Sequence, residues 1–158
     1  MNTNNKLVIS ATNYARVKLN LDENFWVVIS EGKHFLSNNH SGMYDKNHFL
    51  IRYNEEWLKN STSEKTIKCA FHEVFHAFQH QEIIKRKLGL ESIYFTNEEL
   101  DKIEYEFQDE VYNVDKWESF LIEQQAEYFS DYLYSIFIKN NDTLSVIKEY
   151  YELFENVK

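Results

Sequence analysis

The stretch Ser61-Thr62-Ser63-Glu64-Lys65-Thr66-Ile67-Lys68-Cys69-Ala70-Phe71-His72-Glu73-Val74-Phe75-His76-Ala77-Phe78 decides how the rest of the chain is read. Ser61, Thr62 and Ser63 offer a side-chain oxygen to cap a helix start. Behind them Ile67, Phe71, Val74, Phe75 and Phe78 recur at helical spacing and form an apolar stripe. The helix is expected to run to Leu88, with Gly89 just past its end, where a positive φ costs glycine little. Lys85-Arg86-Lys87 then falls in the last turn, where cations complement the helix dipole.

On such a helix His72 and His76 stand at i and i+4, one turn apart on one face, so both imidazoles can reach one ion. The apolar stripe lies on roughly the opposite side and can enter the core, which leaves the histidine pair facing a cleft. Neutral imidazole nitrogen suits Zn²⁺ at about 2.0–2.1 Å. Glu73 projects beside the same face, where its carboxylate can hold and deprotonate an activated water. The plain alternative is a pair of surface histidines on an amphipathic helix.

A catalytic zinc site usually has three protein ligands and one open position. His80 fails as the third, because it stands eight residues from His72, about 12 Å along the helix axis. It is expected at the cleft rim or on the surface. Glu123-Gln124-Gln125-Ala126-Glu127 offers a better candidate, with Glu123 and Glu127 again at i and i+4. Glu123 can supply a carboxylate to the metal, while Glu127 accepts the outer ring N–H of a ligand histidine and fixes its tautomer. Ala126 between them permits close approach of two helices. The competing reading is an acidic exposed helix face. Cys69, one turn before His72, reads as a small packed residue. His34, His40, His48 and the 11 tyrosines give no single candidate for a further catalytic donor.

The pattern His72-Glu73-Val74-Phe75-His76 followed by Glu123-x-x-Ala126-Glu127 resembles the gluzincin group of zinc metallopeptidases. In that group the third ligand is a glutamate on a downstream helix, often within Glu-x-x-Ala-Asp, so Glu127 stands where aspartate is more common. The resemblance spans residues 42–54, 69–80 and 119–133. It implies zinc-dependent hydrolysis of peptide bonds, with His72, His76 and Glu123 as ligands, Glu73 as general base and a peptide or protein as substrate. Gly42-Met43-Tyr44-Asp45 and Phe49-Leu50-Ile51-Arg52-Tyr53-Asn54 are similar to the hairpin that precedes the active-site helix in small zincins. Phe49, Leu50, Ile51, Arg52 and Tyr53 are then either an edge strand that binds substrate by strand addition or part of a core hairpin.

The rest of the chain sets limits. Its 158 residues, 43% hydrophobic and 16% aromatic, suit one domain over residues 1–158 with a real core. A helix near 5–19, a strand at 25–30, the hairpin, a helix opened by the capping-box sequence Thr96-Asn97-Glu98-Glu99, and helices near 115–139 and 142–157 follow in order. The expected fold class is α+β and zincin-like: a small N-terminal β-sheet or hairpin packed on the motif helix, then a mostly helical C-terminal half. A formal charge of −9 disfavours nucleic acid as a partner. A lone cysteine, and no apolar run long enough for a signal core or a membrane helix, lead to the expectation of a cytoplasmic protein without membrane contact. Two further function classes stand beside the peptidase. One is a zinc-binding regulatory or interaction module with weak or no peptidase activity. The other is a helical interaction protein that carries the motif by chance.

Overall fold

A computed structural model of the chain describes residues 2–21 and 25–139. The helix expected at 142–157 lies outside the described residues. The fold is α+β, with a small three-stranded mixed sheet and mostly helical content. The elements are helix α1 (Thr3–Lys18), strands β1 (Trp26–Ser30), β2 (Gly42–Asp45) and β3 (Leu50–Asn54), and helices α2 (Glu55–Lys59), α3 (Ser63–Lys87), α4 (Asn97–Glu106) and α5 (Leu121–Lys139). Short 3₁₀ turns occupy Gly32–His34 and Val114–Ser119.

Helix α3 is the axis of the molecule. Thr62 caps it by accepting from the Lys65 backbone N–H, and Gly89 follows its end at φ 80°. Its apolar stripe is buried as expected: Ile67, Phe71 and Val74 join Val8, Ala11 and Tyr14 of α1 and Leu133 and Phe137 of α5 in one core. Phe75 and Phe78 form a second cluster around Ala126. That small residue sits where α3 and α5 pack, fully buried. The basic run at the end of α3 is tied to α4. Arg86 Nη1 reaches Asp101 Oδ1 (2.7 Å), Arg86 Nη2 reaches Glu104 Oε2 (2.8 Å), and Lys87 Nζ reaches Glu104 Oε1 (2.8 Å).

The sheet order is β1-β3-β2, with β1 parallel and β2 antiparallel to β3. One face packs inward through Ile51 and Tyr53, whose hydroxyl meets Thr12 Oγ1 at 2.7 Å. Trp26 on the other face is 75% exposed. The edge-strand role weighed for Phe49, Leu50, Ile51, Arg52 and Tyr53 is therefore corrected. Leu50–Tyr53 form the central strand, with backbone groups engaged by neighbours on both sides. Phe49 precedes the strand in a left-handed conformation, φ 49°. Among the described residues the sheet's two edges are β1 and β2.

The helix expected over 115–139 also begins later. Phe120 is extended (φ −79°, ψ 136°), and α5 opens at Leu121. The cause is nonlocal: the buried carboxylate of Glu106, at the end of α4, accepts from the backbone N–H of Leu121 (2.9 Å) and Ile122 (3.0 Å). An anion on these unpaired donors complements the helix dipole and fixes where α5 starts. Glu106→Ala is expected to cost about 2 kcal/mol. That appears as a fall of about 4–8 °C in the unfolding midpoint, measured by calorimetry. An unchanged midpoint would remove Glu106 from this role. Among the described residues no helix is long and apolar enough to cross a membrane.

Candidate metal centre

Helix α3 presents His72 and His76 on the face turned toward the first turn of α5, where Glu123 sits. His72 Nε2 lies 2.8 Å from Glu123 Oε2 and 3.1 Å from His76 Nε2, and His76 Nε2 lies 3.3 Å from Glu123 Oε1. Among the described residues these three side chains are the group of histidine, cysteine, aspartate and glutamate placed to hold a metal ion. The three ligand candidates read from the sequence are thus brought together.

The outer nitrogens decide what the inner ones offer. His72 Nδ1 donates to Glu127 Oε2 (3.2 Å), the contact expected of that carboxylate. His76 Nδ1 meets Gln79 Oε1 at 2.9 Å. The Gln79 amide is held in that orientation because its Nε2 donates to the Ile122 carbonyl (3.2 Å) and to Gln125 Oε1 (2.9 Å). Both rings therefore carry a hydrogen on Nδ1, and in the neutral state each directs a bare Nε2 lone pair inward. Two lone pairs and a carboxylate then face one another with no donor among them. A cation or protons must reconcile them.

The charge balance says the same. Burial alone would depress His72, but its hydrogen bonds to Glu123 and Glu127 override that and push it up to about 10. His76 is also raised against burial, chiefly by the Glu123 charge. Burial would raise Glu123, yet the imidazoles of His76 and His72 hold it well below the usual carboxylate range. The hydrogen bond from His72 likewise lowers Glu127. This field favours positive charge, and a divalent ion can replace the protons. The spacings fit as well, because ligand atoms about 2.0–2.1 Å from a tetrahedral ion stand about 3.3 Å apart.

At pH 8, between the ordinary histidine value of 6.5 and about 10, His72 in the metal-free protein is still charged. Its charged form adds stability that is full below 6.5 and is lost as pH rises through about 10. Metal uptake at pH 8 would therefore expel at least one proton per ion, and affinity is expected to fall as pH is lowered. Titration calorimetry in buffers of different ionisation enthalpy measures this, and a buffer-independent heat would contradict it.

Glu73 is 5% exposed, and its Oε2 is buried without a hydrogen-bond partner. Burial raises its carboxyl, with the His76 and His72 charges opposing. A buried carboxylate oxygen without a protein partner is costly unless water, an ion or a ligand meets it. Gly42 at the start of β2 allows the close approach: a Cβ there would stand 3.1 Å from the Tyr53 ring and 3.3 Å from Glu73 Cγ.

Other candidates fall outside the cluster. His80 accepts or donates at Nδ1 to the Tyr44 hydroxyl (2.7 Å), with Phe49 stacked on its ring at 5.3 Å. Burial, then Lys46 and Lys87, lower it to about 4. Cys69 is a buried thiol, pushed up by burial. His48 pairs with Asp45 on the surface (2.7 Å), and His40 rests edge-on against Phe35.

Three residues escaped the sequence reading. Gln79 lies three positions after His76, and that spacing alone could have suggested it. Gln125 backs Gln79 from α5. Tyr112, in the turn after α4, donates its hydroxyl to Glu123 Oε1 (3.0 Å), and nothing local in the sequence marks it. Burial and the charges of Glu123 and Glu73 push its phenol up, which keeps it a donor. Compared with known protein families, with curated proteins and with solved structures, the chain finds no match in any of the three.

Proposed function

We propose that this chain is a small zinc-dependent peptidase of the gluzincin kind, with a zincin-like arrangement of sheet, motif helix and downstream ligand helix. The supporting observation is the convergence of the two imidazole Nε2 atoms and the Glu123 carboxylate beside the buried, unpartnered Glu73 oxygen. His72, His76 and Glu123 would hold the ion. The donor set of two imidazoles and one carboxylate suits zinc, and cobalt or manganese can enter such a site. A bound zinc would supply Lewis acidity there, able to polarise a carbonyl and acidify water.

The remaining work belongs to the chain. Glu73 takes a proton from the attacking water and returns it to the leaving amine nitrogen. Its burial weakens it as an acid, so it can both accept and release that proton. Glu127 and Gln79 hold the two imidazoles in the required tautomer. An extended peptide would add along the free edge of β2, which passes Glu73 at Gly42. Peptide cleavage by wild type and Glu73→Gln, with zinc measured in both, tests the proposal. Zinc retained without cleavage in either protein would favour the regulatory or interaction module.

A further inference from the structure

Glu123 turns both oxygens toward the histidine pair: Oε2 to His72 Nε2 at 2.8 Å and Oε1 to His76 Nε2 at 3.3 Å. A carboxylate so placed can offer one oxygen or two to an ion. With two histidines already present, two oxygens would fill a fourth position that catalysis needs open. The oxygens are not equivalent, however. Oε1 also accepts the Tyr112 hydroxyl at 3.0 Å, whereas the neighbour of Oε2 is His72 Nε2, itself a nitrogen that would turn to the ion.

We infer that Tyr112 is a positioning residue that commits Glu123 to ligation through Oε2 alone and so keeps one coordination position open. The inference rests on the metal centre proposed above. The phenol's hydrogen bond to the charged carboxylate holds Oε1 toward Tyr112, so Oε2 is the oxygen left to turn to the ion. It also fixes the carboxylate plane, as groups behind a ligand generally do. The phenol is itself anchored. Its ring stacks on Phe120 with centroids 5.3 Å apart and planes inclined by 20°. Its backbone N–H closes a turn on the Gln108 carbonyl (3.1 Å). Phe120 is followed directly by the α5 start that Glu106 caps, so one junction places both the phenol and the carboxylate.

The test is the visible absorption spectrum of the cobalt(II) form of wild type and Tyr112→Phe, with cobalt content measured in each. The substitution keeps the ring and its stack on Phe120 and removes only the donor. Each protein is expected to hold one cobalt. The Tyr112→Phe band is expected to lose intensity and shift as Glu123 closes on the ion with both oxygens and the coordination number rises. A residue that serves only packing leaves the two spectra superimposable, and that result overturns the inference while the metal centre stands. A wild type that takes up no cobalt overturns the metal centre and this inference together.

Discussion

Replacing Glu73 with glutamine is expected to leave zinc content unchanged and to lower peptide hydrolysis by about 10²–10⁴-fold, the usual range for a general base. The two halves of this result have separate causes. Zinc stays because Glu73 is not among the three side chains that converge. The fold stays because glutamine has nearly the same shape in the confined space beside Gly42. Hydrolysis goes because an amide cannot accept the proton of the attacking water. The measurement is a rate on a quenched-fluorescence peptide library, with metal analysis of the same samples. Undiminished cleavage would remove Glu73 from the mechanism. Loss of zinc would instead make it a ligand.

Glu123→Ala is expected to weaken zinc binding by at least about a hundredfold, more than the loss of a supporting group behind a ligand. Zinc at about a thousand times the wild-type dissociation constant stabilises the wild type by about 4 kcal/mol. A variant bound a hundredfold more weakly gains only about 1.4 kcal/mol from the same zinc. Thermal unfolding with and without zinc reads this difference directly. The metal-free proteins supply the control, because removing Glu123 also leaves His72 and His76 without the charge that raises them. If zinc raises both midpoints equally, Glu123 is not a ligand.

The helix that carries the motif was legible because everything that makes it is local. Thr62 supplies the cap, the stripe from Ile67 to Phe78 supplies a buried face, and Gly89 supplies the stop. The partnership with Glu123 could be read from i, i+4 spacing and ligand chemistry. Strand order could not. Alternation shows which side of β3 is buried, with Ile51 and Tyr53 inward, but not which strands flank it. The start of α5 was hidden for a related reason. Its cap comes from Glu106, fifteen residues before Leu121 and on another helix. Tyr112 lies in a turn without periodicity, so only the folded chain brings its hydroxyl to Glu123.

The central claim is that His72, His76 and Glu123 form a metal centre. Metal analysis by mass spectrometry of the wild-type protein, purified without chelators and then equilibrated with zinc and desalted, tests it most directly. About one zinc per chain is the predicted result. A protein that retains none under those conditions would contradict the account.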